Sequence, residues 1–94
     1  MKTFNWNQEK NELLKQQRGI SFEQMSFAIE SGCLLDKQKH SNQERYPGQE
    51  LYYIEFNNYI YVVPCVETEN EIFMKIIIPN RKATKALLGD QDEK

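Results

Sequence analysis

Residues 51–66 read LYYIEFNNYIYVVPCV, two β-rich runs joined by a pair of asparagines, and this stretch restricts the fold more than any other. Asparagine tolerates positive φ, which a two-residue hairpin turn demands, so Asn57 and Asn58 predict a tight turn. A turn of that kind sets the register of the strands it joins. The middle of the chain is thereby committed to an antiparallel pair. Pro64 lies inside the second run and has no N–H to offer a neighbouring strand, which requires a sheet edge or a bulge there. After the turn-forming ETEN comes EIFMKIII, whose nearly continuous apolar run predicts a last strand buried on both faces. Upstream, CLLD reads as the first strand of the main sheet, entering the polar loop KQKHSNQERYPGQE.

The N-terminal third has a helical period instead. TFNW, residues 3–6, is either a short strand or an aromatic plug. Asn7 is a helix N-cap for residues 8–17, with Leu13 and Leu14 joined by Trp6 and Lys10 on one side, and Gly19 is its stop. Ser21 and Gln24 form a capping box, and Ile20 before it can staple to Met25. Phe22, Met25, Phe27, Ala28 and Ile29 supply the apolar face of this second helix, which ends at Gly32. At the other end, IIIPNRKATK places an N-cap at Asn80 and a short helix over 81–88. Two helices, an antiparallel meander and a closing helix define an α+β domain with its helices on one face of the sheet.

Ninety-four residues make one domain, 1–94, with its core at about 4–88 and a frayed tail at 89–94, GDQDEK. Twelve Lys and Arg against fourteen Asp and Glu exclude wholesale electrostatic binding to nucleic acid, while a local basic patch is compatible with that balance. No apolar run approaches the roughly 18–20 residues of a membrane span, and MKTFNWNQEK has no signal-peptide core. The expectation is a cytoplasmic protein with no membrane partner. Cys33 and Cys65 are expected to be buried thiols, and one histidine with no close cysteine pair predicts neither a metal nor a cofactor.

The chemistry-bearing residues fall in two places. Arg81 and Lys82 occupy the first turn of the last helix, the end whose dipole repels cations, and Lys85 follows. Either a carboxylate partner meets them, or the helix start holds an anion. In QERYPGQ, Glu44, Arg45 and Tyr46 offer a proton acceptor, a phosphate-binding fork and a stacking ring in succession. These are the residue types that RNA cleavage uses, and the alternative is an exposed loop closed by a Pro-Gly turn. His40 in the same loop is either solvated or a proton-transfer group. Tyr52, Tyr53, Tyr59 and Tyr61 flank the hairpin and are either a base-stacking platform or sheet stabilisers. Glu12, Glu23 and Glu30 read as solvated helix faces.

The opening FNWNQEKNELLKQQRGISFEQ resembles the start of the BrnT-type toxins, ribonucleases of type II toxin–antitoxin modules, through Trp6, Lys10, Gly19, Ser21 and Phe22. IIIPNRKATK is similar to the end of that family at Ile77, Ile78, Arg81, Lys82, Ala83 and Thr84, and Glu44-Arg45-Tyr46 resembles a Glu-Arg-aromatic stretch between them. The resemblance covers about residues 4–88. It implies a RelE/ParE-like fold, metal-independent RNA cleavage, a protein antitoxin as partner, and DNA contact only through that antitoxin. It also implies site roles. Arg81, Glu44, Arg45 and His40 would be catalytic, and Lys10, Arg18, Tyr46, Lys82 and Lys85 would bind RNA. The chain departs from the family pattern where Gln17 and Arg18 replace a Lys-His pair, Leu14 replaces an Asn and Leu87 replaces a Glu. Those departures keep open a second reading, an interaction domain that retains the fold without the chemistry.

Overall fold

A computed structural model describes residues 2–89. In chain order the elements are β1 (Thr3–Asn5), α1 (Gln8–Arg18), α2 (Phe22–Glu30), β2 (Leu34–Lys39), β3 (Gln49–Phe56), β4 (Tyr59–Glu67), β5 (Glu71–Met74), β6 (Ile78–Pro79) and α3 (Arg81–Leu88). The hairpin is the centre. Asn57 and Asn58 take φ values of 55° and 61°, and β3 pairs with β4 from Phe56 opposite Tyr59 to Gln49 opposite Val66. The sheet runs β1-β5-β4-β3-β2, with β6 also on β4. Its pairs are antiparallel except β1 with β5, which is parallel. TFNW therefore supplies an edge strand, and the polar loop is shorter than expected because β2 extends through Lys39.

Pro64 explains why EIFMKIII is not one strand. Cys65 pairs with Met74 and Val62 with Ile78, so two residues of β4 stand against three of its neighbour. That is a bulge. The Pro64 carbonyl accepts from Lys75 N–H at 2.8 Å. A strand residue presents its N–H and C=O to the same neighbour, so the missing donor faces this interruption. The expected burial on both faces fails here. Met74 and Ile77 are buried, while Ile76 and Ile78 are 37% and 45% exposed.

Alternation divides the sheet into two covered faces. Tyr52 and Ile54 of β3 and Val63 and Cys65 of β4 pack with Leu14, Ile20, Phe22, Met25 and Ala28 from α1 and α2. Full burial of each large apolar side chain there contributes about 2 kcal/mol. Ile60 and Val62 have the opposite parity, are also buried, and lie under α3. The expectation of all helices on one face is thus corrected. The backbone N–H and C=O of Ile60, left free at the hairpin end, draw α3 across: Asn80 N–H donates to Ile60 C=O at 3.0 Å, and Ile60 N–H donates to Thr84 Oγ1 at 2.9 Å. The Thr84 hydroxyl, itself buried, donates to Asn80 C=O at 2.8 Å.

The helix caps follow the sequence. Asn7 accepts from Lys10 N–H, Gly19 closes α1 at φ 66°, and Ser21 with Gln24 makes the reciprocal box. The inward faces differ from expectation. Leu13 is exposed, as is Phe27 at 67%, because α1 turns Asn11 and Leu14 inward and α2 turns Phe22, Met25 and Ala28 inward. Asn11 is fully buried. Its carbonyl accepts from Phe22 N–H at 2.8 Å and its amide donates to Glu23 at 2.9 Å. Glu23 is therefore more than a solvated acid: the Asn11 amide, aided by Lys15, holds its carboxyl below the usual range. Among the described residues no helix is long and apolar enough to cross a membrane. Of the expected frayed tail, residues 90–94 lie outside the described residues.

Candidate functional site

The loop between β2 and β3 is bound by its own polar side chains. His40 N–H donates to Gln49 C=O at 2.9 Å, and Tyr46 N–H donates to Asn42 C=O at 2.9 Å. Asn42 Oδ1 accepts from Arg45 N–H. Gln43 donates to the carbonyls of His40 and Gln49 and accepts from Gly48 N–H at 3.0 Å, with Gly48 at a φ of 74°. These bonds hold three of the sequence candidates together. The His40 and Tyr46 ring centroids are 4.4 Å apart, and the Arg45 guanidinium lies 5.6 Å from the Tyr46 ring. Glu44 is exposed on the same turn. His40 is half-buried, and its Nδ1 accepts from Asn42 N–H at 3.1 Å. That bond occupies one lone pair, so the neutral ring carries its proton on Nε2.

Beside this loop opens a cleft of about 520 Å³, lined in part by Gln43, Gly48, Lys39, Glu50, Glu67 and Lys2. Its floor is a cross-strand cluster. Lys2 Nζ meets Glu67 at 2.6 Å, Tyr52 Oη donates to the other Glu67 oxygen at 3.5 Å, and Lys37 Nζ lies 5.1 Å from the Tyr52 ring. The Lys2 hydrogen bond holds the Glu67 carboxyl below its usual range. Burial, reinforced by neighbouring Cys65 and glutamates, raises the Tyr52 phenol. Burial first, then Glu50, pushes the Cys65 thiol up to about 12. Perturbed groups beside a cleft mark a candidate site. Sequence reasoning missed Lys2, Lys39, Glu50 and Glu67, which come from four separate stretches and share no local motif.

The start of α3 is the second feature. Asn80 accepts from Ala83 N–H at 2.8 Å. Arg81, Lys82 and Lys85 are exposed, and among the described residues no carboxylate lies within ion-pair distance of them. Lys82 shares a cleft of about 290 Å³ with Asp36, Gln38, Tyr53 and Leu87. The Asp36 oxygens already accept from Lys37 N–H and the Gln38 amide.

The two features are separate. The α3 cap attaches at Ile60, the partner of Glu55, while His40 attaches at Gln49, six residues away along β3. At about 3.3 Å per residue those anchor points stand about 20 Å apart. Lys10 is on α1 with Nζ 3.3 Å from Lys75 C=O, and Arg18 is exposed in the last turn of α1. The tyrosines form no single platform. Tyr52 is buried, Tyr53 faces the α3 cleft, and Tyr59 pairs with Tyr61 at 5.6 Å. Both cysteines are free, Cys65 buried and Cys33 half-buried. Comparison of the chain with family models, characterised proteins and solved structures finds no match.

Proposed function

We propose that this chain is the toxin of a type II toxin–antitoxin module, a cytoplasmic RelE/ParE-like ribonuclease that cleaves RNA without a metal and is neutralised by a protein antitoxin. The reading is carried by one observation: an imidazole, a guanidinium and a carboxylate ride on one braced loop, whose Gln43 and Gly48 line the neighbouring cleft. Glu44 takes the proton of a 2′-hydroxyl, whose oxygen attacks the adjacent phosphorus. The P–O5′ bond breaks, leaving a 2′,3′-cyclic phosphate. His40 enters the step as the imidazolium, gives its Nε2 proton to the departing 5′-oxygen and is left as a neutral ring. Proton exchange with solvent returns that ring to the tautomer whose Nδ1 accepts from Asn42 N–H. Arg45 neutralises the phosphorane, and Tyr46 orients both His40 and Arg45. Arg45 is assigned as the cation at the reacting phosphate in this reading, in place of Arg81, because the loop and α3 are anchored about 20 Å apart along β3. Arg81, Lys82 and Lys85, with Lys10 and Arg18, hold the backbone of flanking nucleotides and meet DNA only through the antitoxin.

Induced expression is expected to arrest growth, and purified protein is expected to cut RNA in the presence of EDTA. Arg45→Ala should lower kcat about 100-fold or more, while Arg81→Ala should act mainly on KM. A second reading, a non-catalytic domain that binds a protein partner, is favoured by the exposure of Phe27 and Leu13. Intact RNA and unimpaired growth would establish that second reading and remove the first.

A further inference from the structure

We propose that the cleft beside the 40–48 loop is a guanine-reading pocket, with Glu50 and Lys39 as the residues that set base specificity; this inference rests on the RNA-directed reading above. Glu50 and Lys39 stand directly opposite each other in the β2–β3 register, both line the cleft, and neither takes part in an ion pair or side-chain hydrogen bond among the described residues. Of the other two carboxylates lining the cleft, Glu67 is already engaged by Lys2 and Tyr52 and Glu69 is exposed. Glu50 is half-buried at the cleft wall, and its carboxylate oxygens stay open to solvent, so both are free to accept from a ligand.

The chemistry of an adjacent carboxylate and ammonium distinguishes the bases by their Watson–Crick edges. Guanine presents N2–H, N1–H and O6 in a row. A carboxylate accepts both N–H donors, and the neighbouring ammonium donates to O6, giving three charge-assisted bonds. Adenine and cytosine each offer one amino donor beside one ring acceptor, giving two bonds and leaving a carboxylate oxygen unmatched. Uracil sets its O2 or O4 against the carboxylate. No aromatic side chain lines the cleft among the described residues, so the apolar surface against the base faces comes from the methylene stems of Lys2 and Lys39. The cleft volume of about 520 Å³ accommodates a nucleotide-sized ligand.

The test is titration of the full chain with 3′-GMP, 3′-AMP, 3′-CMP and 3′-UMP, followed by calorimetry or amide chemical shifts. A hexanucleotide with one guanine serves as the RNA arm. One additional charge-assisted hydrogen bond corresponds to a preference of about tenfold or more for 3′-GMP. Glu50→Gln, which keeps the shape and presents an amide, should abolish the preference, and Lys39→Met should weaken binding of guanine and cytosine by a similar factor, since each loses one bond to the ammonium. The Glu50 and Lys39 resonances should shift in wild type, and circular dichroism should show both variants folded. Equal affinity for all four nucleotides, no nucleotide binding, or a guanine preference that survives Glu50→Gln overturns the proposal. Cleavage of RNA with no guanine preference removes the pocket and leaves the ribonuclease reading intact. Selective 3′-GMP binding without cleavage does the reverse.

Discussion

Asn11→Ala removes the side chain that ties the first two helices together, and its consequences can be worked from two distances. Phe22 N–H is one of the donors at the start of α2 that no helical carbonyl can reach. Its partner is the Asn11 carbonyl at 2.8 Å, in a fully buried position. Truncation leaves that donor dry and unpaired, a loss of about 1–3 kcal/mol, and also strips the amide from Glu23. A total of about 2–3 kcal/mol lowers Tm by about 10–20 °C in a domain of this size. Asn11→Asp separates the two contributions. It keeps an acceptor for Phe22 N–H but sets a carboxylate where the amide faced Glu23.

The pH dependence then has opposite signs. In wild type the Glu23 carboxyl is held below its unfolded value, so its stabilisation is complete above the usual carboxylate range and is lost as pH falls through the depressed folded value. In Asn11→Asp, protonating either member of the carboxylate pair relieves repulsion, so acidification through the same range should stabilise it relative to wild type. Urea unfolding of the three proteins between pH 7 and about pH 4 measures this. An Asn11→Ala variant within about 0.5 kcal/mol of wild type, or an Asn11→Asp variant with the wild-type pH slope, would refute the role given to this side chain.

Thr84→Val keeps the shape at the α3–β4 junction and leaves Ile60 N–H buried without its acceptor. It should destabilise by about 1–3 kcal/mol in urea, with Thr84→Ser near wild type, and a neutral Thr84→Val would show that the hydroxyl is dispensable. In a thiol-reagent assay at pH 8, native protein should expose Cys33 alone, because the Cys65 thiol is buried and raised to about 12. Both should react in guanidinium, and two fast thiols in native protein would contradict the burial of Cys65.

What the sequence discloses about this fold is what neighbouring residues decide. Asn7, Ser21, Gln24 and Asn80 cap helices because each side chain needs only a backbone N–H a turn away, and Asn57-Asn58 turn the hairpin by their own φ preference. Two features depend on residues far apart and were hidden. The break between β5 and β6 is imposed by Pro64 on the neighbouring strand, so nothing inside EIFMKIII announces it. The position of α3 on the second face follows from the N–H and C=O of Ile60, which only the assembled hairpin leaves free. Asn11 carried a usable signal, since an asparagine inside a helix destabilises it unless the side chain finds a partner. At the candidate site, His40, Arg45 and Tyr46 were legible because one loop holds them, whereas the Lys2–Glu67 bridge joins residues 65 positions apart.

That long reach has a kinetic consequence. Strand β1 pairs with β5, with Thr3 opposite Glu71 and Asn5 opposite Phe73, and Thr3 N–H donates to Asn70 C=O just before β5. Closing so long a loop before any local contact rewards it places this pairing late in folding, after the hairpin and α2. A growing chain therefore emerges from the ribosome with β1 unpaired until almost the last strand has been synthesised. In that interval its backbone edge is open to chaperones, to proteases and to any other extended segment that arrives first.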